Sequence, residues 1–104
     1  MNVLVIDVGT SSMRGILFDH QGKCLAVKQE FYQATYLENS WVEQNPADWE
    51  NALYSILKQS VAEAENMGEK IDAISITSQR SSVIPVDENI RPLSNAIMWQ
   101  DKRT

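Results

Sequence analysis

Residues 45–78, NPADWENALYSILKQSVAEAENMGEKIDAISITS, decide the fold because they hold a helix and a strand with clear boundaries. Asn45 suits a helix N-cap, Pro46 suits the first helical position, and Gly68 is a typical C-terminal stop. The apolar residues that recur between them at helical spacing are Trp49, Ala52, Leu53, Ile56, Leu57, Val61 and Ala64. The pattern predicts a helix over about residues 46–66, followed by a buried strand over residues 70–78.

Three further strands are predicted before the helix. Residues 3–8 form an almost continuous apolar run, which is typical of a strand buried on both faces and predicts a strand over residues 2–8. Residues 13–19 and 23–31 follow after short turns, which favours an antiparallel meander. The crossover helix favours parallel pairing of residues 3–8 with residues 71–76. The resulting β-β-β-α-β order predicts an α/β fold with a mixed sheet, as in the ribonuclease H-like, actin-like ATPase half-domain.

The remaining segments show weaker patterns. Residues 32–39 have no clear period and predict a loop, whereas residues 82–86 predict a further short strand. Trp41, like Trp49 in the helix, is expected to pack rather than to take part in chemistry. Cys24 is expected to be a half-buried strand residue.

Composition limits the function classes. The chain has 104 residues, one domain's worth, and a net charge of −5, which disfavours non-specific binding of nucleic acid. No apolar run approaches the ~20 residues that cross a bilayer, so no membrane partner is expected. A single cysteine suits a reducing compartment, and a soluble cytoplasmic protein is therefore expected.

The first turn, IDVGTSSMRG at residues 6–15, carries an unusual concentration of chemistry. Phosphoryl transfer needs an anion to hold Mg²⁺, hydrogen-bond donors around the phosphates and a cation against developing charge. Asp7 supplies the anion, and Gly9 allows close approach of the backbone to a phosphate. The donors are Thr10, Ser11, Ser12 and Arg14. On these residues alone, a polar hairpin whose aspartate bonds to its own backbone is an equally good interpretation.

Four segments in order resemble the N-terminal part of the FGGY carbohydrate kinases, a family that includes glycerol kinase and xylulokinase. They are DVGTSSMRGILFD, WVEQNPADW, ISITSQRSSVIPVD and NAIMWQDKRT, and they span essentially the whole chain. The resemblance implies ATP and Mg²⁺ as cofactors and a sugar or polyol as substrate. It also implies that the first turn, Gly9 included, binds the ATP phosphates. Asp7 would then be the catalytic and metal-binding residue that positions Mg²⁺ and the γ-phosphate.

The substrate site is implied at two later segments. Gln79, Arg80 and Ser81 follow the strand after the helix, at the edge where open α/β sheets place ligands. Positions matching Arg80 and Ser81 contact substrate hydroxyls in the family. Glycerol kinases typically carry Arg-Glu there and xylulokinases Met-His, so Arg-Ser puts glycerol in doubt and weakens xylulose. Trp99 and Asp101 are implied near the same pocket, as an aromatic face and a hydroxyl acceptor.

Family members have several hundred residues in two actin-like domains, with the general base downstream of the segment matched here. The resemblance therefore implies that residues 1–104 are the N-terminal part of the first FGGY kinase domain and are inactive alone. The leading hypothesis is an ATP-dependent kinase of a sugar or polyol. The alternatives are a glycerol kinase, or a truncated nucleotide-binding or interaction module without activity. The sequence leaves the oligomeric state open, a homodimer included.

Overall fold

The computed structural model describes residues 1–103, which form one α-helix, one short 3₁₀ helix and seven strands arranged in two sheets. The strands are β1 (Val3–Val8), β2 (Ser12–Phe18), β3 (Cys24–Phe31), β4 (Thr35–Tyr36), β5 (Val42–Gln44), β6 (Ala73–Ser78) and β7 (Ala96–Ile97). The helix α1 spans Pro46–Asn66, and the 3₁₀ helix spans Glu38–Ser40. No helix within residues 1–103 is long and apolar enough to cross a membrane.

The main sheet has the strand order β3-β2-β1-β6. Strand β1 pairs antiparallel with β2, and β2 pairs antiparallel with β3. Strands β1 and β6 are parallel neighbours, with Val3 opposite Ala73 and Val8 opposite Ser78. The predicted meander, crossover helix and parallel pair are confirmed.

The boundaries of α1 arise from local interactions that the sequence predicted. The side-chain oxygen of Asn45 accepts a hydrogen bond of 3.0 Å from the backbone N–H of Ala47, which satisfies a free donor of the first turn. Gly68 follows the helix with φ of 69°, a left-handed conformation that glycine adopts without a steric penalty. The helix therefore begins and ends where predicted.

Helix α1 packs on one face of the main sheet, mainly against β2 and β3. Gly15 of β2 permits this packing, since a Cβ built there would lie 2.4 Å from Cγ2 of the fully buried Ile56. The buried core between helix and sheet consists of Leu4, Ile6, Met13, Leu17, Ala52, Ile56 and Ala64.

Strand β6 is largely exposed, so the prediction that it is buried is wrong. Ile74 and Ile76 lie opposite Leu4 and Ile6 of β1 and share their face of the sheet. Leu4 and Ile6 of β1 are covered by α1, whereas Ile74 is 53% and Ile76 is 67% exposed. The reason is position, because β6 is an edge strand and α1 packs on the same face farther along the sheet, over β2 and β3.

Two other burial predictions are also corrected. Strand β1 is fully buried only at Leu4 and Ile6, while Val3 and Val5 on its other face are half-buried. The one α-helix of residues 1–103 covers the first of these faces and leaves the second open. Cys24 is exposed rather than half-buried, because it begins the outer strand β3 directly after a turn.

The second sheet, in the order β4-β5-β7, was not predicted. Part of the predicted loop at residues 32–39 forms β4, and residues 82–86 contribute isolated bridges instead of a strand. Val42, Ala96 and Met98 form a small core beneath this sheet. Trp49 of α1 packs against both this core and the main one, in agreement with its predicted packing role, and so joins the two sheets.

Candidate active site

The turn between β1 and β2 is closed by a backbone hydrogen bond. The N–H of Gly9 donates to the carbonyl of Ser12 at 2.9 Å. A Cβ at position 9 would lie 2.9 Å from that same carbonyl oxygen, so this tight turn requires glycine. The N–H of Gln79 donates to the carbonyl of Val8 at 3.0 Å. The turn thus lies beside the segment that follows β6, at the carboxyl edge of the two parallel strands.

Asp7 and Arg14 face each other across β1 and β2, on the side of the sheet that α1 leaves open. Thr77 of β6 is the neighbour of Asp7 on its other side. Within residues 1–103 neither charged side chain forms an ion pair, and Asp7 is only half-buried. Both groups are therefore available to a ligand.

A Mg²⁺ ion that accompanies a nucleotide is held by one or two carboxylates together with phosphate oxygens and waters. Asp7 fits that requirement because it is half-buried and its carboxylate pairs with no cation among residues 1–103. The described part of the chain holds no group of three or more His, Cys, Asp or Glu side chains that could enclose a metal by themselves. Asp7 is thus suited to a metal shared with phosphates.

The segment after β6 is connected to the turn by side-chain hydrogen bonds. The amide Nε2 of Gln79 donates to the carbonyl of Gly9 at 3.4 Å, and its Oε1 accepts from the Ser82 hydroxyl at 3.1 Å. The Ser82 oxygen in turn accepts from the backbone N–H of Trp99 at 3.1 Å. Sequence reasoning missed Ser82, since only its contacts distinguish it from neighbouring serines.

A cleft of about 560 Å³ lies between these segments, lined by Thr10, Gln79, Arg80, Ser81 and Trp99. The indole N–H of Trp99 donates to the hydroxyl of Thr10 at 3.2 Å and closes one side of the cleft. Arg80 and Ser81 are exposed, and Ser81 has a φ of 68°, a conformation that is uncommon outside glycine. The structure thus brings four predicted substrate residues together with the predicted phosphate turn.

Asp101 is not among the residues that line this cleft. Its carboxylate accepts from the N–H of Val42 at 2.6 Å and from Nε of Arg103 at 2.8 Å. Arg103 also pairs with Glu43 at 3.0 Å, and its guanidinium lies 4.0 Å from the ring centroid of Trp41. The side chain of Asp101 is only 2% exposed. Hydrogen bonds from Arg103 hold the pKa of Asp101 well below its usual range. This carboxylate fastens the residues after β7 to β5.

Tyr32 contacts the turn at three carbonyl groups, and sequence reasoning missed it. Its hydroxyl donates to the carbonyl of Gly9, and the carbonyl oxygen of Ser12 lies 2.9 Å from the same hydroxyl. Its backbone N–H donates to the carbonyl of Ser11 at 3.1 Å. The residue follows β3 within a segment that has no periodicity, and no pattern in the sequence indicates this role.

The ring of Tyr32 is anchored in the core. It meets the ring of Trp49 edge to face, with a centroid distance of 6.4 Å and an interplanar angle of 77°, a favourable geometry for aromatic pairs. Burial raises the pKa of Tyr32 to about 12, and the nearby negative charge of Asp7 adds to this effect. The phenol is therefore a protonated donor at neutral pH.

The chain is similar to known proteins in sequence and in fold. Residues 2–104 match the N-terminal domain of the FGGY family of carbohydrate kinases. A glycerol kinase of Rhodospirillum centenum is 39% identical over 103 residues, which cover 98% of this chain and 21% of that protein. A xylulose kinase of Lactococcus lactis is 38% identical over 102 residues, covering 98% of this chain and 20% of that protein.

Among solved structures, Plasmodium falciparum glycerol kinase with ADP matches with a TM-score of 0.92 and 28% identity. The match covers 98% of this chain and 21% of that one. The chain thus spans about a fifth of the length of the curated relatives it matches.

Proposed function

The chain belongs to the FGGY family of carbohydrate kinases, and on that premise we propose that it is the N-terminal part of an enzyme that phosphorylates a sugar or polyol with ATP. The observation that supports the proposal is the shared cleft. Thr10 of the predicted phosphate turn lines one space with four of the predicted substrate residues, Gln79, Arg80, Ser81 and Trp99. Thr10 on one side and Trp99 on the other are joined directly by a hydrogen bond.

The phosphate side of the proposed site is the turn after β1. Gly9 lets the backbone approach closely, and Thr10, Ser11 and Ser12 offer hydroxyl and amide donors. Within residues 1–103 the guanidinium of Arg14 forms no ion pair, so it can face phosphate oxygens. Fixed donors of this kind stabilise charge on a transferring phosphoryl group without reorganising during the reaction.

Asp7 is proposed to hold Mg²⁺ directly or through waters of the ion. The metal, when bound, neutralises phosphate charge as a Lewis acid. Asp7 and Arg14 are paired on the adjacent strands β1 and β2, so the carboxylate and the guanidinium can lie near the same phosphates. This is the basis for assigning Asp7 the principal catalytic role within the chain.

The substrate side is proposed to consist of Arg80, Ser81 and Trp99. The guanidinium can donate to hydroxyl oxygens while the half-exposed indole packs against a C–H surface. The side chain of Gln79 is engaged by Gly9 and Ser82, so its contribution is to hold this segment against the turn. Asp101 contributes by fixing the residues that follow Trp99 to β5.

The proposed substrate is a sugar or a longer polyol in preference to glycerol. Ser81 is a short, neutral side chain and cannot replace an anionic acceptor for two adjacent hydroxyls. Losing one charged acceptor costs roughly 1.5–3 kcal/mol, which is about ten- to a hundredfold in discrimination. Glycerol is the second candidate, since relatives of comparable similarity include a glycerol kinase as well as a xylulose kinase. We place the enzyme in the cytoplasm, where an exposed, unpaired thiol such as that of Cys24 persists.

The test is ADP release by the complete enzyme with Mg-ATP and a panel of glycerol, pentuloses, hexoses and polyols. Arg80→Gln is expected to raise KM for the preferred substrate about 10- to 100-fold, since a hydrogen bond to a charged group contributes roughly 1.5–3 kcal/mol. KM for ATP should stay within about twofold of the wild-type value. Arg91→Gln is the matched control, because it removes the same charge from an exposed turn outside the cleft. ADP release that no compound stimulates would refute the proposed function.

A further inference from the structure

We infer that Tyr32 is a positioning residue that orients the backbone N–H groups of the phosphate-binding turn. The inference rests on the proposed function, in which that turn binds the phosphates of ATP. It assigns the residue no contact with the nucleotide. Tyr32 acts through the turn, because its hydroxyl contacts the carbonyl groups of Gly9 and Ser12 and its backbone N–H donates to the carbonyl of Ser11.

Peptide planarity links those carbonyls to the donors that a phosphate needs. In a trans peptide the C=O of one residue and the N–H of the next point in opposite directions. The Tyr32 hydroxyl holds the carbonyl of Gly9, so the N–H of Thr10 is directed away from Tyr32. The N–H of Tyr32 holds the carbonyl of Ser11, which directs the N–H of Ser12 away in the same manner. Both amides are thereby fixed before a ligand arrives.

A rigid support makes this orientation effective. The ring of Tyr32 packs edge to face on Trp49, near the start of α1. Trp49 itself packs against both hydrophobic cores. The position of the Tyr32 hydroxyl is therefore fixed. Rotation of the peptide plane between Gly9 and Thr10 would break the hydrogen bond from this hydroxyl to the Gly9 carbonyl. Donors held in this way have little freedom to lose when phosphate binds.

The decisive variant is Tyr32→Phe in the complete enzyme, because it keeps the ring and the backbone N–H and removes only the hydroxyl. We expect calorimetric titration to show about five- to tenfold weaker binding of ADP and of Mg-ATP, the consequence of one lost hydrogen bond in the turn. We expect kcat/KM for ATP to fall about 10- to 100-fold, since small misplacements of reacting groups have effects of that size. KM for the sugar should change less than about twofold. Tyr54→Phe, on the exposed side of α1, is the matched control.

Each outcome bears on the inference. Nucleotide affinity equal to that of the wild type in Tyr32→Phe would overturn it. So would equal losses for nucleotide and sugar accompanied by a lower melting temperature, since those describe a purely structural role. A wild-type enzyme that binds nucleotide but phosphorylates nothing would refute the proposed function alone, because the two affinities can still be compared. A wild type that binds no nucleotide would overturn both.

Discussion

Gly15→Ala is expected to destabilise the protein, although glycine is ordinarily a poor strand residue. The added Cβ would lie 2.4 Å from Cγ2 of Ile56, 3.2 Å from the hydroxyl of Ser60 and 3.5 Å from Cδ1 of Leu4. The first contact is about 1.1 Å shorter than the usual minimum of about 3.5 Å between carbon atoms. Ile56 is completely buried, so its side chain can move only if neighbouring core residues move as well. The helix must shift away from the sheet to accommodate the methyl group.

The size of the effect follows from two opposing contributions. Overpacking of a core costs about 1–3 kcal/mol, whereas replacing glycine restricts the unfolded chain and returns about 0.4–1 kcal/mol. The midpoints of these ranges, about 2 and about 0.7 kcal/mol, give an expected net loss of about 1.3 kcal/mol of unfolding free energy, measured by urea denaturation. Ile56→Ala alone should cost about 2–5 kcal/mol.

The double variant distinguishes this explanation from a general effect of the substitution. Ile56→Ala removes the Cγ2 atom that clashes, so the two changes together should cost at least about 0.5 kcal/mol less than the two single losses added. A Gly15→Ala variant as stable as the wild type, or strict additivity of the pair, would refute the packing argument.

The remaining predictions concern activity, specificity and pH. Asp7→Asn should lower kcat of the complete enzyme by about 10²-fold or more with little change in sugar affinity, because metal-mediated charge stabilisation contributes several kcal/mol; a nearly normal turnover would contradict the assignment. In the substrate panel, glycerol should not have the highest kcat/KM, and its ranking first would reverse the inference drawn from Ser81. Residues 1–104 alone should release no sugar-dependent ADP and should self-associate in sedimentation through exposed apolar side chains such as Ile76. Asp101→Asn should have a lower melting temperature than the wild type at pH 7. The difference should close as the pH falls below the ordinary aspartate pKa of 3.8, because the lowered pKa stabilises the folded state only while the carboxylate is charged. A difference in melting temperature that does not depend on pH would argue against the ion pair.

The elements that could be predicted from the sequence are those that local interactions determine. The ends of α1 follow from the side chain of Asn45 and the left-handed Gly68, each acting within a few residues of itself. The parallel pairing of β1 and β6 follows from the crossover helix, since a connection of that kind returns the chain in the same direction. The first turn was identifiable for a similar reason, because its candidate residues are contiguous.

The rest depends on contacts between distant segments. Strands of two or three residues, such as β4 and β7, are too short to show a period, so the second sheet left no pattern. An apolar strand such as β6 has the same composition whether or not a helix covers it, and burial could not be read from its residues. The same holds for the carboxylate of Asp101, whose donor Val42 lies 59 positions earlier. It holds also for Arg103, whose partner Glu43 lies 60 positions earlier. The role of Tyr32 likewise depends on contacts with a distant segment, the turn at Gly9 and Ser12.

The hydrogen bond between Thr10 and Trp99 joins residues that are 89 positions apart and that follow strands of two different sheets. Thr10 follows β1, in the sheet covered by α1, whereas Trp99 follows β7, in a three-stranded sheet with a core of three residues. A small core opens at lower free energy than a large one, so local unfolding should separate the β7 segment while the helix-covered sheet stays intact. Native-state hydrogen exchange would then report the loss of the cleft well before the loss of the fold. A ligand that bridges the cleft would slow amide exchange in β5 and β7 more than in β1 and β2. Binding in the cleft would therefore be detected as increased exchange protection of the three-stranded sheet.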